Sequence, residues 1–360
     1  MNKPVLDLYS DYLLCSFGQT TATGLSQLLQ GSISHDKITR FLAEETFTSA
    51  QLWQMVKPLV RKVQTQEAVL IIDDSIEEKP FTDENELVTW HYSHTNGTTV
   101  KGINFLTALY YTGTISVPVG LELVTKDQIT QNPKTGKPTK KSTLTKNERY
   151  RKLLQACAQN NLPFRYVLND VWFASAENMR YVKLDLRKDF VMPLKSNRKL
   201  ALSLEEKQHG RYQSVGSVSL EPGTRREIYL EQVPFPLTLV KQVFTNKDGS
   251  IGILYLVTSD LTLGYDQITA IYQKRWKVEE YHKSVKQNAS LAKSPTRTVR
   301  TQQNHLFCSL AAYVKLEQLK MKTHQSHFAL KTRLYFEAIK SAYSQLKTMT
   351  VEPLDMAELA

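Results

Sequence analysis

Apolar residues follow a helical spacing near both ends of this chain. Up to residue 66 they do so in TATGLSQLL, HDKITRFLAEE and TSAQLWQMVKPLVRKVQ, where Ser34 or Asp36 and Ser49 are plausible helix caps. From Asp266 onward, YDQITAIYQKRWKVEEYHKSVKQ and HLFCSLAAYVKLEQLKM have the same spacing. We therefore predict helical regions before and after a central part of different character.

The central part has the shorter apolar runs that are typical of strands. AVLIID (68–73) and PFRYVLND (163–170) are each predicted as a buried strand that ends in an acid. GINFLTALYYTGTISVPVGLELV (102–124) is predicted as a hairpin whose turn is supplied by Gly113. Apolar and polar residues then alternate from Asp189 to about Val257. This last pattern predicts a small antiparallel sheet inserted in an α/β domain.

The charge of the chain narrows the class of its partner. Lys and Arg number 46 against 35 Asp and Glu, which gives a net charge of +11 and a pI near 9.3. This balance favours a polyanion, with nucleic acid ahead of an acidic membrane surface. No run approaches the roughly 18 apolar residues of a spanning helix. Residues 131–152 hold eight basic residues against one Glu, together with Pro133, Gly136 and Pro138, and predict a mobile basic loop.

The cysteines indicate a reducing compartment. Cys15, Cys157 and Cys308 lie far apart, without the paired spacing of a metal site. We interpret them as reduced thiols of a cytoplasmic protein. The N-terminal stretch lacks the pattern of a secretory signal, and the scattered His residues do not favour a zinc site.

Acids stand where the predicted strands end. Asp73 and Asp74 close the first strand in IIDDS, and Asp170 closes the later one in YVLND. Carboxylates at such ends meet at one sheet edge, and Glu279, from a predicted helix, can lie across it. Oxygen ligands of this kind suit two Mg²⁺ or Mn²⁺ ions for metal-assisted phosphoryl transfer. Acids at strand ends also often face solvent, and only one of Asp73 and Asp74 can point into such a site.

Four residues of the helix around Glu279 share one face. At about 100° per residue, Tyr272, Arg275, Glu279 and Lys286 fall within a stripe roughly 60° wide. A charged stripe is usually a solvated face. Here, however, one acid stands between two bases and an aromatic ring, which suits a metal ligand flanked by phosphate-binding groups. Glu280 lies about 100° away and cannot serve the same site.

The spacing Y-(2)-R-(3)-E-(6)-K of these four residues resembles the signature of a large group of bacterial insertion-sequence transposases, the DDE transposases with an RNase H-like catalytic core. The resemblance extends from about residue 66 to about residue 310. The first acid stands in a D-x-S context, the second follows an apolar strand, and a β-rich segment separates it from the glutamate. The resemblance implies an α/β fold: an RNase H-like mixed-sheet core with a β-rich insertion, preceded by a small helical N-terminal domain and followed by a helical C-terminal region.

The resemblance also implies roles for single residues. Asp73, Asp170 and Glu279 are the implied catalytic residues and ligands of two Mg²⁺ or Mn²⁺ ions, with Asp74 as the alternative to Asp73. Tyr272, Arg275 and Lys286 are implied contacts to a DNA end. Trp276 is expected either to stack on a displaced base or to pack in the core. Further candidate contacts to DNA or phosphate are Lys283, Lys140, Lys141, Lys79, His91, His94 and Lys101.

Five segments follow from these patterns. They are a helical N-terminal region (1–66), the first part of the core (67–188), the β-rich insertion (189–260), the completion of the core with the Y-R-E-K helix (261–320) and a C-terminal helical tail (321–360). The first is expected to be either a plain helical bundle or a DNA-contacting head.

The function implied is that of a bacterial transposase located in the cytoplasm at the nucleoid. Such an enzyme binds the terminal inverted repeats of its element, cuts double-stranded DNA and joins it to a target, as a homodimer on two paired ends and with no membrane partner. One alternative is an RNase H-like nuclease, such as a junction resolvase, that cuts without joining. The other is a DNA-binding descendant with a decayed site, although the presence of all three acids argues against decay.

Overall fold

The computed structural model describes residues 2–93, 97–131, 136, 138–246 and 248–349. His94, Lys134 and Lys137, which belong to the candidate phosphate contacts and the basic segment, lie outside the described residues.

Four helices precede the first strand. They are α1 (Lys3–Cys15), α2 (Ala22–Leu28), α3 (His35–Glu44) and α4 (Ser49–Val63). Ser34 caps α3, as its position predicts, whereas α4 is capped by Thr48 and not by Ser49. The Ser49 hydroxyl instead accepts the backbone N–H of Leu121 at 3.1 Å, which ties the start of α4 to the sheet below it.

The first half of the sheet is formed by segments on both sides of one long helix. Its elements are β1 (Val69–Glu78), β2 (Val88–Ser93), β3 (Thr98–Tyr111), β4 (Ser116–Leu123), α5 (Lys146–Gln159), β7 (Tyr166–Asn169), the short helix α6 (Ala176–Arg180) and β8 (Asp189–Leu194). A separate hairpin is formed by β5 (Gln128–Gln131) and β6 (Pro138–Lys141). Gly113, at a φ of 101°, makes the predicted turn between β3 and β4.

Strand order and direction define the core. The order is β4–β3–β1–β7–β8, with β2 on the same edge of β3 as β4. β1 runs antiparallel to β3 and parallel to β7, which is parallel to β8. β4, β3 and β1 are thus antiparallel neighbours, and β7 and β8 run parallel to β1. This arrangement is that of an RNase H-like mixed sheet. The expected fold class, an α/β core with a large mixed sheet and helices at both ends, is therefore confirmed.

The β-rich segment continues this sheet. Its elements are β9 (Lys199–Ala201), α7 (Leu204–Gln208), β10 (Gln213–Ser214), β11 (Arg225–Leu230), β12 (Leu237–Thr245) and β13 (Ile251–Thr258). β13 pairs antiparallel with β8, and the order continues through β12, β11 and β9 to β10. Eleven of the thirteen described strands thus form one sheet, and β5 and β6 form the separate hairpin. The five-segment division of the chain stays a prediction.

Where it is described, the basic segment 131–152 is more ordered than its composition suggests. Pro138–Lys141 pairs with Gln128–Gln131, and α5 already begins at Lys146, where the Thr145 hydroxyl accepts the N–H of Glu148. The prediction of one mobile loop is therefore wrong for residues 138–152. Thr145 and Glu148 form a capping box, a local signal that outweighs the surrounding Gly and Pro.

Four α-helices follow β13 in the part of the chain that the structure describes: α8 (Tyr265–Gln273), α9 (Trp276–Gln287), α10 (Val299–Thr323) and α11 (His327–Thr348). α10 passes through the core. Its Asn304 donates to the carbonyls of Leu42 and Glu45, and its His305 bonds to the Tyr9 hydroxyl at 3.0 Å. These contacts join the N-terminal helices to the same hydrophobic core as the sheet. No helix of the described chain combines the length and apolar character needed to cross a membrane.

Candidate active site

Two of the candidate acids become neighbours where the parallel pairing of β1 and β7 stops. The last paired residues are Ile72 and Asn169, so Asp73 and Asp170 are the next residue on each strand. β1 does not end at Asp73, as the sequence suggested. It continues to Glu78 because its other edge remains paired with β3. The two carboxylates therefore stand at a fork between strands, where β7 has left the sheet.

Asp74 has different partners from Asp73, although both line the same cleft. One carboxylate oxygen of Asp74 accepts the side-chain amide of Asn104 at 3.0 Å and the Lys146 ammonium at 2.7 Å. Asp73 Oδ1 accepts the backbone N–H of Asp74 at 2.9 Å. Asp74 thus has a close ion pair with Lys146, whereas the cation nearest to Asp73 in the ion pairs of the described residues is Arg275, at 3.7 Å.

Helix α9 brings two further ligand-type side chains to Asp73. A carboxylate oxygen of Asp73, one of Glu279 and a ring nitrogen of His282 all lie within 4.8 Å of one another. Glu279 and His282 are three residues apart, a spacing that places both on one helix face. Sequence analysis missed His282, although the pattern Glu-x-x-His on a predicted helix is a usable signal for a ligand pair.

Burial and neighbouring acids raise the pKa values of two carboxyls of the cleft, those of Asp73 and Asp170. The pKa of Asp73 lies well above its usual range because the carboxyl is buried and faces Asp170, Asp74 and Glu279, with Arg275 as the opposing charge. Burial and Asp74 also raise the pKa of Asp170, despite the N–H groups of Trp172 and Phe173 that its Oδ1 accepts at 3.1 and 3.3 Å. Such mutual repulsion is typical of a site that takes up a cation.

Arg275 lies between two of these acids. Its guanidinium is 3.7 Å from Asp73 and donates to Glu279 at 3.1 Å. It also lies 5.6 Å from the ring centre of Trp276 and 6.0 Å from that of Tyr272. The helix predicted through this region is interrupted at Lys274 and Arg275, between α8 and α9. Arg275 is thereby the residue immediately before α9, and its guanidinium contacts both Asp73 and Glu279.

The other two residues of the Y-R-E-K spacing, Tyr272 and Lys286, hold α8 and α9 to the sheet. The Tyr272 hydroxyl donates to the carbonyl of Asn169 at 3.4 Å, and Lys286 Nζ donates to the carbonyl of Ile76 at 2.6 Å. Burial raises the pKa of Tyr272, so this phenol stays protonated. Lys286 lines the cleft, and Tyr272 is not among its lining residues. Tyr272 thus ties α8 to the end of β7, and Lys286 ties the last turn of α9 to β1.

Several predicted DNA contacts lie around the cleft. Trp276 is 63% exposed, so the alternative of a core tryptophan is excluded. Lys283 lines the cleft and lies 5.1 Å from the ring centre of Phe328. Lys140 pairs with Glu84 at 3.2 Å in an adjoining groove of about 440 Å³ that shares Trp90 and Lys126 with the cleft.

The remaining candidates are less central. His91 lines the cleft and is hydrogen-bonded to Thr89 at 2.9 Å. Lys79 is buried beside Glu77, 3.9 Å away, and Lys101 lies 5.9 Å from the ring centre of Trp90. Lys141 is exposed on β6.

The cleft has a volume of about 780 Å³, and cationic and acidic side chains line it in equal number among the described residues. Five cations line it: Lys126, Lys146, Arg275, Lys283 and Lys286. Five carboxylates line it as well: Asp73, Asp74, Glu78, Asp170 and Glu279. The carboxylates supply hard oxygen donors, and their repulsion around Asp73 is relieved by a divalent cation, so these residues fit an ion such as Mg²⁺.

The comparisons with solved structures are remote. A Kluyveromyces polysporus Argonaute with a guide RNA matches at 11% identity and a TM-score of 0.26, over 72% of this chain and 36% of the Argonaute chain. The chain thus spans about a third of that protein's length. The strand transfer complex of the Drosophila P element transposase matches at 8% identity and a TM-score of 0.27, over 95% of this chain and 86% of that chain. At such scores neither similarity supports an argument about this protein.

Family comparisons are more informative. No curated protein matches the sequence significantly. The family described as DDE superfamily endonuclease, however, matches residues 3–216, and the Transposase DDE domain family matches residues 122–315. Each covers more than half of the chain, and together they span the strands and the helix that carry Asp73, Asp170 and Glu279. The chain belongs to the DDE endonuclease and transposase superfamily.

Proposed function

We propose that this protein is a transposase that binds the terminal inverted repeats of an insertion sequence, cleaves at the ends and joins them to a target by cut-and-paste transposition. The observation that carries the proposal is the convergence of Asp73, Asp170 and Glu279 on one cation-lined cleft. Membership of the superfamily makes the chain an endonuclease or transposase. DNA ends as substrate, the ligand set and the joining step are our proposals.

Asp73, Asp170 and Glu279 are proposed to hold two Mg²⁺ or Mn²⁺ ions. Divalent ions so held supply a Lewis acid for the phosphate and lower the pKa of a water or a 3′-hydroxyl. Asp73 is preferred over Asp74 because Asp74 already neutralises Lys146, whereas Asp73 faces Glu279 and Asp170. Arg275 offsets part of the repulsion between Asp73 and Glu279, and a phosphate oxygen can take over its two bonds when DNA enters.

Cations and exposed rings around the acids are proposed to grip the DNA. Lys283 and Lys286 line the cleft together with Glu279, and Lys146 lines it at Asp74. Trp276, exposed next to Arg275, offers a face on which an unstacked base can stack. Lys140 and Lys141 extend the basic surface along the β5–β6 hairpin. Transposition requires two ends to be brought together, and we propose that a homodimer does this.

A cleavage and joining assay tests the proposal. The substrate is a supercoiled plasmid that carries the gene with its native flanking DNA, incubated with the purified protein, Mg²⁺ and a second plasmid as target. We expect excision at both flanks and insertion into the target, and neither in excess chelator. Cleavage without insertion would favour the nuclease, and binding without cleavage the decayed descendant.

Two adjacent glutamates provide a matched control. Glu279→Gln should abolish cleavage because it removes a ligand charge, whereas Glu280→Gln should leave it within about twofold, as for a substitution remote from the site. Glu280 points away from the acids and pairs with Lys277 at 2.9 Å. Equal activity of the two variants would contradict the ligand assignment.

A further inference from the structure

His282 is a buried histidine in the cleft whose imidazole has an unused nitrogen. The residue is 8% exposed and lines the cleft beside Glu279. Its Nε2 is fully enclosed and has no hydrogen-bond partner among the described residues. A buried polar atom without a partner is uncommon and calls for an explanation.

Three other histidines of the described chain are buried, and each faces a polar partner. His327 Nε2 has no hydrogen bond either, but it lies 3.1 Å from the Glu317 carboxylate. His305 is hydrogen-bonded through one nitrogen to the Tyr9 hydroxyl at 3.0 Å and through the other to the carbonyl of Ser290 at 3.1 Å. His91, in the same cleft as His282, bonds to Thr89 at 2.9 Å. The side chain of His282 is instead fixed by rings, with Phe105 and Tyr281 at centroid distances of 6.2 and 5.1 Å. Packing therefore orients this imidazole while leaving a nitrogen for another group.

We propose that His282 is a direct nitrogen ligand of the divalent ion held by Asp73 and Glu279, and that it gives this position a preference for Mn²⁺ over Mg²⁺. The inference rests on the proposed function, since it takes these two carboxylates as ligands.

The distances allow shared coordination. The three ligand atoms lie within 4.8 Å of one another. Around an octahedral ion at Mg²⁺ distances, opposite ligands lie roughly 4.2 Å apart and adjacent ligands roughly 3.0 Å. Side-chain rotations that draw the three atoms together on binding close this difference. Asp73 comes from the rigid centre of the sheet, and Glu279 and His282 come from one face of α9. The pair has the Glu-x-x-His spacing with which helical bundles hold transition-metal ions.

The donor set determines which ion is favoured. Mg²⁺ prefers oxygen ligands and gains little from an imidazole, whereas Mn²⁺ accepts carboxylate and imidazole together. A site of two carboxylates and one histidine therefore separates the two ions more than three carboxylates do. Removing the imidazole should weaken binding of Mn²⁺ and leave that of Mg²⁺ nearly unchanged.

The test measures the nitrogen bound to Mn²⁺ by electron spin echo envelope modulation. Full-length protein is loaded with Mn²⁺ without DNA, with natural nitrogen and with ¹⁵N-histidine. We expect a ¹⁴N coupling that ¹⁵N-histidine converts to the ¹⁵N pattern, and that Asp73→Asn abolishes. The labelled wild-type protein needs no substitution, so this measurement stands even where a variant folds poorly.

Two histidine variants then identify the ligand. His282→Gln should remove the coupling and weaken Mn²⁺ binding on the order of tenfold, with little change for Mg²⁺. His91→Gln, from the same cleft, should retain the coupling. Bound Mn²⁺ without any histidine coupling, a coupling that survives His282→Gln, or no Mn²⁺ binding at all would overturn the inference. Cleavage by wild-type protein that lacks the coupling would leave the proposed function standing, and a coupling without cleavage would overturn that function alone.

Discussion

Two buried acids of this chain have opposite surroundings. Glu317, on α10, is 2% exposed, and its carboxylate accepts the backbone N–H of Ser116 and the Tyr313 hydroxyl, each at 3.1 Å. His327 Nε2 lies 3.1 Å away, although not in hydrogen-bonding geometry, and Lys320 lies at 3.4 Å. Burial raises the pKa of Glu317, but these partners together bring it below its usual value.

Asp73 is 8% exposed and its surroundings are mostly acidic. Its pKa is raised, first by burial and then by Asp170, Asp74 and Glu279. The one cation among the causes of this shift, Arg275, is 3.7 Å away and shared with Glu279. The chain itself thus neutralises Glu317, whereas it leaves Asp73 among other acids, which is the kind of perturbed group that clusters at functional sites.

The largest expected difference between the two acids concerns turnover. Asp73→Asn and Asp170→Asn should each lower cleavage by roughly a thousandfold or more, because nucleophile and phosphate are both activated through the ion. Glu317→Gln should keep its activity per folded molecule at low temperature. Rates of plasmid cleavage, normalised to folded protein, measure both effects. A loss for Glu317→Gln as large as that for Asp73→Asn would erase the distinction.

Folding stability should show the second difference. Glu317→Gln removes the charge that holds Lys320 and should lower the free energy of unfolding by about 2 kcal/mol, as when the hydrogen bonds of a buried charged group are lost. Lys320 itself is partly exposed and can be solvated in the variant. The pKa of Glu317 is lower in the folded than in the unfolded chain. The stability that its charge contributes is therefore present at pH values above the unfolded-state pKa, and it is lost as the pH falls through the folded-state pKa. Urea melts measure the difference in unfolding free energy between the wild type and Glu317→Gln. This difference should be smaller below pH 4.5, the usual pKa of a glutamate, than at pH 7. A pH-independent difference would contradict this account.

Asp73→Asn should act in the opposite direction on the metal-free protein. The pKa of Asp73 is higher in the folded than in the unfolded chain. Asp73 therefore favours folding at pH values below its unfolded-state pKa, and this stabilisation is lost as the pH rises through its folded-state pKa. Near neutral pH, removing the charge should therefore stabilise the metal-free fold, because the variant no longer has a buried carboxylate that faces other acids. Thermal melts with and without Mg²⁺ should show the wild type gaining stability from the ion and the variant gaining less. Destabilisation by Asp73→Asn without metal would refute the repulsion.

The smallest effect is expected at the neighbouring acid. Asp74→Asn should keep cleavage within about tenfold, since Asp74 pairs with Lys146 and Asn104 and not with Glu279. The same plasmid assay compares it directly with Asp73→Asn. An inactive Asp74→Asn beside an active Asp73→Asn would move the ligand by one residue.

Local signals were enough to predict much of the fold. The apolar runs before Asp73 and Asp170, the hairpin at Gly113 and the helices at both ends follow from spacing and turn chemistry. Pairing over long distances was not predictable in the same way. The extension of β1 beyond Asp73 depends on β3, and the joining of β13 to β8 depends on an edge that no local pattern reveals.

The candidate site shows the same division. Glu279 and Arg275 were predicted from their spacing on one helix, although the chain turns at Lys274 and Arg275 without a Gly or Pro to announce it. The engagement of Asp74 by Lys146 could not be predicted, since the partners are 72 residues apart. The ligand roles of Asp73, Asp170 and Glu279 remain predictions until the variants are measured.

The continuation of the sheet into β13 also bears on the tendency of the chain to aggregate. β8 is six residues long and mostly buried, and without β13 it would present a bare apolar edge to other chains. The sheet instead ends beyond it in β9 and β10, strands of three and two residues, which are too short to template a partner strand. Residues 195–260 therefore cover a strand edge that would otherwise promote aggregation. A chain shortened there should precipitate before its activity can be measured.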